Sequence, residues 1–540
     1  MPDSESPIAG EVVHRTRWVH WFIILALVAC GALLRFHQIT RESQWQDEYW
    51  TLYLSTGRGG DAFNLPTGVL LNPPPAEMLA GSPHWWHIWT GLDHVTHPPL
   101  YSILLRWWMD LFGDSDLSTR GFSAILSLAA IVLLFDAVRI REDPRVAILA
   151  ALAMTLATSA IDYSQQTRNY TLEVLVVVWI GRELCAVEAY GASCARLARL
   201  GAAALATLLT HYFAVGAVLG AGVYSLVVLR GKNRSKTVAV LLAATAIFIL
   251  VWGPFVWRQR QDLGAQGWWT ADKAPGHFLA LLRAAKLPAL HLSPDLSAAE
   301  SPIPSQTTIT IALELVVFLA PLASLRSNRT ARLWWCMLIC SIAPLVAYDT
   351  LKHSDLLFYS KYTMAALPAL CVLVVMPLPL RQWWRWTVPL AMSFMLVMST
   401  VDRWQHGAEP MGDFRDVVRL LDRAAGPDDP ILFFPNSLWN SAAFWYLPFN
   451  HYAPQSQRPV MMLAAGHPLD TAALAQLSGY KTIWIFGPGF GADAAAMIPG
   501  WKASTVVAFQ TVGGFTRLQQ MDADVTLAVT STAPSPAASR

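Results

Sequence analysis

Charged residues are scarce in this chain of 540 residues: only 14% are Asp, Glu, Lys or Arg, whereas 54% are hydrophobic. A soluble domain carries roughly 25% charged residues, so this shortage excludes an ordinary soluble protein. The mean hydropathy of +0.37 agrees with that exclusion. The net charge of +2 gives no sign of a nucleic-acid partner, and we expect none. The composition therefore predicts a polytopic α-helical membrane protein whose first partner is the lipid bilayer.

Cysteine is also rare, with six residues, none of them after position 371 and no CxxC pair. This excludes a disulfide framework and a cysteine metal site. No HExxH motif or similar cluster of metal ligands is present. These absences give no sign of a cofactor, although Asp, Glu and His residues leave a divalent cation possible. No small-residue cleavage site follows the first apolar run, so we expect an uncleaved first helix.

Long apolar runs, in contrast, are abundant. A run of about 20 apolar residues suits a bilayer core of ~30 Å. The sequence contains eleven candidates, at 18–36, 120–138, 145–161, 170–187, 196–210, 212–229, 237–257, 308–325, 331–348, 362–380 and 385–400. Two shorter amphipathic stretches, 98–113 and 276–290, carry charges and are predicted to lie in the membrane interface.

The connections between the runs alternate between two kinds. One kind is short and basic, as in "RIREDPR" (139–145), "RGKNRSK" (230–236) and "RSNRTAR" (326–332). The positive-inside rule places these connections, and the N-terminus, in the cytoplasm. The other kind, which begins with the loop 37–119, then lies on the opposite side of the membrane.

After residue 401 the composition changes to short alternating strand and helix patterns. This alternation predicts a small α/β domain over 402–528, which the topology places on the side opposite the basic connections. Residues 529–540, which end in "TSTAPSPAASR", are predicted to be a disordered tail. Residues 1–401 form the predicted transmembrane domain.

Polar residues collect at the predicted outer ends of the helices. The candidate site residues are Asp47, Glu48, His97, Asp162, Gln165, Arg168, Tyr170, His211, Lys361 and Tyr362. Charged groups near the membrane are costly unless they are paired or hydrated. Carboxylates beside cations suit transfer of a group from a lipid-linked phosphate, because a carboxylate accepts the proton of an attacking hydroxyl and cations stabilise the departing phosphate. Adjacent acids on a helix point ~100° apart, so we expect only one of Asp47 and Glu48 to face a substrate.

The segments "HPPLYSILLRWWMDLFGDSDLSTRGFSAI" (97–125), "DYSQQTRNYTLEVL" (162–175), "THYF" (210–213) and "SKYTMAALPAL" (360–370) resemble the bacterial GT-C glycosyltransferases. That superfamily includes protein mannosyltransferases and lipid A aminoarabinose transferases. The resemblance covers roughly residues 15–400, and "HPPL" after the Asp47–Glu48 pair is its most specific part. It implies a GT-C fold and an inverting transfer of a sugar from a polyprenyl-phosphate donor to a glycan, lipid or protein acceptor. It also implies a metal-independent reaction without a cofactor, at the periplasmic side of a bacterial inner membrane.

The resemblance also implies roles for the site residues. Asp47 takes the place of the catalytic base, Glu48 completes the pair, and Asp162 stands where a second acid is often found. Residues around the lipid phosphate would be Gln165, Arg168, Tyr170, Lys361 and Tyr362, with His97 and His211 near the sugar or the phosphate.

The sequence departs from both subgroups. The loop 258–307 is too short for the β-trefoil insert of protein mannosyltransferases, and His97 stands where aminoarabinose transferases tend to have Lys. The acceptor is therefore not implied by either subgroup. Two alternatives stay open: a transporter or flippase for a lipid-linked sugar, and a glycan polymerase or ligase that uses a lipid diphosphate donor.

Overall fold

A computed structural model describes most of the helical part of the chain and much of the C-terminal part. The described residues are 17–59, 65–72, 79–92, 97–263, 281, 284–285, 287, 291–292, 329–352, 354, 356–376, 397, 401, 404, 414–434, 443–464, 468–488, 498–511 and 514–523. The predicted span 308–325, all of the predicted span 385–400 except residue 397, most of the interfacial stretch 276–290, and the tail 529–540 lie outside them.

Up to residue 376 the described part of the chain is mainly helical. Its helices are α1 (Trp18–Phe36), α2 (Gln46–Ser55), α3 (His87–Gly91), α4 (Leu100–Phe112), α5 (Asp116–Arg139), α6 (Pro144–Leu156), α7 (Thr158–Asp162), α8 (Tyr170–Tyr190), α9 (Cys194–Leu208), α10 (Val215–Val227) and α11 (Gly231–Leu263). Two further helices of this part are α12 (Arg329–Lys352) and α13 (Leu367–Val375). Single-turn 3-10 helices cover Tyr163–Gln165, Tyr212–Ala214 and Leu356–Phe358, and a longer one covers Ser360–Ala366.

Four of these helices are long and apolar enough to cross a membrane: α1, α5, α11 and α12. The bent pair α6–α7 would be a fifth within the part of the chain that is described. The predicted helical membrane architecture is therefore confirmed, whereas the number of eleven spans stays a prediction. The helix α4, predicted to be interfacial, has 13 residues and is not among the candidate spans.

Local sequence explains where several helices begin and end. Asp143 caps α6 by accepting a hydrogen bond from the Arg145 backbone N–H, and Pro144 occupies the first turn, where its missing N–H costs nothing. Ser115 caps α5 in the same way. The helix α8 ends at Gly191, whose φ of +80° is readily adopted only by glycine. These capping residues begin and end the helices at defined positions and allow short connections between them.

The break between α6 and α7 has a buried partner. A bend of 60° at Ala157 leaves backbone carbonyls at the end of α6 without partners in the helix. The fully buried Arg35 donates to the Met154 and Thr155 carbonyls at 3.2 and 3.0 Å, and to Ser127 Oγ at 2.8 Å. Because these groups lie away from water, Arg35 stabilises the bend that leads the chain to residues 162–169.

The second part of the chain contains a mixed sheet. Its strands are β2 (Ile431–Phe433), β3 (Val460–Met462), β4 (Thr482–Pro488), β5 (Trp501–Thr511) and β6 (Gly514–Ala523), preceded in the chain by β1 (Leu70–Leu71). The strand order is β1-β3-β2-β4-β6-β5, with β3, β2 and β4 parallel and the others antiparallel to their neighbours. The helices beside it are α14 (Phe414–Ala424), α15 (Ala443–Tyr452) and α16 (Thr471–Leu477). After residue 401 the described helices and strands alternate along the chain up to β4, whereas β1 comes from the first long loop. The domain boundaries at 402 and 528 stay predictions.

The sheet part contacts the helical part through Asp116, at the first turn of α5. Arg415 Nη2 donates to Asp116 Oδ2 at 2.6 Å, and His451 Nε2 lies 2.8 Å from Oδ1. Tyr452 donates to Asp116 Oδ2 at 3.2 Å and accepts from the Gln44 backbone N–H at 2.8 Å. These contacts hold the sheet part next to the short segment that precedes α2.

Candidate active site

The centre of the site is Asp47, in the first turn of α2. Its side chain is 30% exposed, and its Oδ2 lies 3.3 Å from Lys361 Nζ and 3.8 Å from Arg168 Nη2. These three residues come from segments separated by more than 100 positions each, and the fold brings their charged ends together. The convergence predicted from the sequence is thus observed for these residues.

Arg168 is buried and held in one orientation. Its Nη1 donates to the Asp47 backbone carbonyl at 3.0 Å and to Thr51 Oγ1 at 2.8 Å, so it binds two successive turns of α2. Its Nη2 lies 3.2 Å from His97 Nε2. Because a guanidinium has no acceptor, His97 Nε2 accepts this bond and the neutral ring carries its proton on Nδ1. His97 Nδ1 is buried and has no hydrogen-bond partner among the described residues.

Lys361 approaches Asp47 from the 3-10 helix Ser360–Ala366. Its Nζ lies over the rings of Trp45 and Tyr362, at 5.2 and 5.3 Å from their centroids. Cation–π contacts of this kind favour a charged ammonium in a partly dry setting. The start of the 3-10 helix is fixed by a hydrogen bond of 2.8 Å between Tyr163 Oη and Ser360 Oγ. The ammonium is therefore kept at the carboxylate by its surroundings.

The charges of the site follow from these contacts. Burial by itself would raise the pKa of Asp47, but Lys361 and Arg168 outweigh burial and lower that pKa below its ordinary value. Burial lowers the pKa of Lys361, and Asp47 more than compensates, so the Lys361 pKa is raised. Burial and the nearby cations hold the pKa of His97 well below its ordinary value. At neutral pH the four groups around Asp47 are therefore one carboxylate, two cations and a neutral His97, and together they carry one net positive charge.

Glu48, the neighbour of Asp47, has a different environment. It is fully buried and receives two hydrogen bonds from Arg120, from Nε at 2.9 Å and from Nη2 at 2.6 Å. It also accepts from the backbone N–H groups of Thr167, at 2.7 Å, and Trp45, at 3.1 Å. Each of the two Glu48 carboxylate oxygens therefore accepts two hydrogen bonds from within the protein. Glu48 joins α2, α5 and the segment before α8 through these bonds, and its place in a catalytic pair with Asp47 stays a prediction.

Gln165 and Asp162 belong to the segment that connects α7 to α8. The Gln165 side-chain amide donates to the carbonyls of Leu34, Arg35 and His37 at 3.3, 3.2 and 2.9 Å. It therefore caps the C-terminal end of α1, which is a positioning task rather than the donor contact expected from the sequence. Asp162 ends α7 and lies within electrostatic range of Tyr163.

The remaining predicted residues surround the charged centre. Tyr170 is buried, with its ring centroid 5.5 Å from Arg168 Cζ. The His211 ring lies 6.2 Å from the His97 ring and 6.1 Å from the Tyr170 ring. Tyr362 lies beside Lys361, as described above. The structure thus brings seven of the ten predicted residues together around one site, gives Glu48 and Gln165 supporting positions, and places Asp162 at the end of α7.

Sequence reasoning missed three participants. Trp45 faces Lys361, Thr51 accepts from Arg168, and Glu173 lies against His211 with 3.5 Å between Oε2 and Nδ1. A signal existed for Glu173, since a carboxylate inside an apolar run is a candidate functional residue. As for metals, the described ranges hold no group of three or more His, Cys, Asp or Glu residues that could bind one.

Comparisons with known proteins agree with this architecture. Residues 96–257 match the model of the family described as dolichyl-phosphate-mannose-protein mannosyltransferase. The fold is similar to that of ArnT from Cupriavidus metallidurans bound to undecaprenyl phosphate, with a TM-score of 0.55 and 13% identity over 93% of this chain and 98% of that chain. No curated protein sequence matches the chain.

A second solved structure extends the likeness. The archaeal oligosaccharyltransferase AglB from Archaeoglobus fulgidus, in complex with an inhibitory peptide and a dolichol-phosphate, has a TM-score of 0.50 and 11% identity over 93% of this chain and 74% of that chain. At such identities the likeness shows the fold. The resemblance to the GT-C superfamily is thereby confirmed.

Proposed function

We propose that this chain is an inverting glycosyltransferase that moves a sugar from a polyprenyl-phosphate donor to a hydroxyl group of a glycan, lipid or protein. The observation that carries the proposal is the meeting of Lys361 and Arg168 at the Asp47 carboxylate. The excess positive charge suits a donor phosphodiester, which carries one negative charge. Both solved structures named above contain a polyprenyl-type phosphate.

In the proposed reaction, Asp47 is the general base. Its carboxylate accepts the proton of the acceptor hydroxyl while that oxygen forms a bond to the anomeric carbon of the sugar. The bond between the anomeric carbon and the phosphate oxygen breaks, and its electron pair leaves with the polyprenyl phosphate. Attack from the face opposite the phosphate inverts the anomeric centre. A positioned base of this kind typically contributes ~10²–10⁴ in rate.

The cations have a second effect besides stabilising the departing phosphate. In the absence of donor they lower the pKa of Asp47 and make it a weak base. A bound phosphate shares the charges of Lys361 and Arg168, which reduces their hold on the carboxylate. We therefore expect Asp47 to become more basic when the donor is bound. The neutral His97 contributes by keeping the Arg168 guanidinium in its orientation.

The proposal places the site at the periplasmic face of a bacterial inner membrane, with the 402–528 domain on the same side. It is supported by the Asp116 contacts, which hold the sheet part close to α2. The basic connections 139–145 and 230–236 lie at the other ends of α5 and α10 from the site residues, in agreement with the positive-inside rule.

The test is donor consumption by the purified protein in nanodiscs. A panel of undecaprenyl-phosphate sugars is supplied with a mixture of hydroxyl acceptors and EDTA, and release of undecaprenyl phosphate is measured. We expect consumption of at least one donor, undiminished by EDTA, and a product of inverted anomeric configuration by NMR. Consumption of lipid diphosphate donors alone would favour a polymerase or ligase. Movement of intact lipid-linked sugar across vesicles without consumption would favour a flippase.

A further inference from the structure

Glu173, on α8, is a buried carboxylate that the proposed reaction does not use. It is 0% exposed, and both of its oxygens lack a hydrogen-bond partner in the part of the chain that the structure describes. Its Oε2 lies 3.5 Å from His211 Nδ1. Burying a carboxylate without hydrogen-bond partners costs free energy. Its presence in an apolar run of α8 therefore calls for a cause other than stability.

The other buried carboxylates of the helical part show the contrast. Glu48 receives four hydrogen bonds, as described above. Glu183, which lies on the same helix as Glu173 and is 1% exposed, pairs with Arg182 at 2.7 Å and with Arg199 at 3.1 Å. Both oxygens of Glu48 are satisfied, and Glu183 has two arginine partners at Oε1, although its Oε2 has no hydrogen-bond partner among the described residues. Glu173 has a single, longer contact, and that contact is a histidine next to the candidate site.

The backbone holds this histidine at a defined place. Asn169, one turn before Glu173 on the same face of α8, donates from Nδ2 to the Thr210 carbonyl at 2.8 Å. This bond fixes the turn that carries His211 against the beginning of α8. The His211 ring thus has Glu173 Oε2 at 3.5 Å from its Nδ1 and the His97 ring centroid at 6.2 Å from its own. The pair of Glu173 and His211 therefore neighbours the part of the site that contains His97 and Arg168.

We propose that Glu173 and His211 form a hydroxyl-binding subsite beside the phosphate-binding cations, which rests on the glycosyltransferase function proposed above. Glu173 is a positioning residue: its carboxylate faces Nδ1 and keeps the proton on that nitrogen. The lone pair of Nε2 is then left for a hydroxyl group of the ligand, which donates a hydrogen bond to it. That hydroxyl belongs either to the donor sugar or to the acceptor, and kinetics distinguish the two.

The tautomer itself can be measured without activity. Glu173→Gln keeps the shape of the side chain, but its amide can donate to Nδ1 and so favours the proton on Nε2. We expect ¹⁵N NMR of histidine-labelled protein, with His211→Gln used to assign the signal, to show an Nδ1–H ring in the wild type and an Nε2–H ring in Glu173→Gln. An Nε2–H ring in the wild type would overturn the inference.

Kinetics supply the second readout. In Glu173→Gln we expect the KM of one substrate to rise roughly five- to tenfold through the lost hydrogen bond, while the affinity for undecaprenyl phosphate, which has no sugar, stays within about twofold. A rise in the donor KM assigns the hydroxyl to the sugar, and a rise in the acceptor KM assigns it to the acceptor. Unchanged values of both would overturn the subsite.

Glu183→Gln is the matched control, since it removes a buried carboxylate from the other end of the same helix. We expect it to lower the Tm without changing either KM or the His211 tautomer. A Glu183→Gln variant with the same KM change as Glu173→Gln would make the effect structural and contradict the inference. If the wild type consumes no donor, the glycosyltransferase proposal fails, and the tautomer measurement still decides the pairing of Glu173 with His211.

Discussion

Replacing Asp47 by Asn separates the two effects of its carboxylate, proton transfer and repulsion of the donor phosphate. Asn has nearly the same shape but accepts no proton, so we expect turnover to fall by ~10²–10⁴. The same change removes a negative charge close to the place where the phosphate binds. The variant should therefore bind undecaprenyl phosphate at least as tightly as the wild type, although it is inactive.

The strength of the repulsion between the Asp47 carboxylate and the donor phosphate follows from the geometry. Lys361 Nζ lies 3.3 Å from Asp47 Oδ2, and a phosphate oxygen would lie ~2.8 Å from the same ammonium. The two negative charges are then ~6 Å apart, and their repulsion at an effective dielectric constant of ~20 is about 3 kcal/mol. Because the Asp47 side chain is 30% exposed, solvent screening reduces this to about 1–2 kcal/mol. We expect roughly a tenfold gain in affinity.

The assay measures donor consumption and undecaprenyl phosphate binding on the same nanodisc preparation. Asp110→Asn is the control, since Asp110 is half-exposed and pairs only on the surface of α4 with Arg106, and we expect it to leave both quantities unchanged. Near-wild-type turnover of Asp47→Asn would refute the role of general base. A large loss of affinity in that variant would refute the placement of the phosphate at Lys361.

Three further predictions follow from the same geometry. Lys361→Met and Arg168→Lys should each weaken undecaprenyl phosphate binding by at least about tenfold, because each removes or displaces a cation at the phosphate; unchanged affinity in both would move the donor site elsewhere. Glu48→Gln leaves Arg120 with an uncompensated buried charge and should destabilise the protein by roughly 3–5 kcal/mol, seen as a lower Tm; an unchanged Tm with lost turnover would instead assign Glu48 to the chemistry. The pKa of Asp47 is lowered in the folded protein, so the stability that its carboxylate contributes is present above the ordinary pKa of 3.8 and is lost as the pH falls through the lower folded pKa. For the same reason, protonation of Asp47 should cause no fall in kcat/KM for the phosphodiester donor at any pH above about 4. A fall in kcat/KM near pH 6 that is absent in Asp47→Asn would contradict this prediction.

The helices could be predicted from the sequence because their signal is local. Apolar length places α1 at the predicted residues 18–36, and the caps at Asp143 and Ser193 set the beginnings of α6 and α9. The two-residue strand β1 had no such signal, since its pairing with β3 joins positions almost 400 residues apart. The bend at Ala157 also escaped prediction, because neither Gly nor Pro marks it and its stabilising partner, Arg35, lies in another helix.

The site was predictable in its members and less so in their roles. The polar ends of apolar runs indicate Asp47, Arg168 and Lys361, because such groups need partners near a membrane. Which of the two adjacent acids faces the site depends on Arg120, 72 positions away from Glu48. In the same way, the use of Gln165 as a cap for α1 depends on how that helix ends in three dimensions. Side-chain direction of this kind is set by packing between distant segments.

The most direct test of the proposed site is a cryo-EM structure of the protein in nanodiscs with undecaprenyl phosphate. We predict that the phosphate lies within ~3 Å of Lys361 Nζ and next to the Arg168 guanidinium, on the side of Asp47 that is open to solvent. A phosphate bound away from these cations, or an Asp47 carboxylate distant from it, would contradict the proposed reaction.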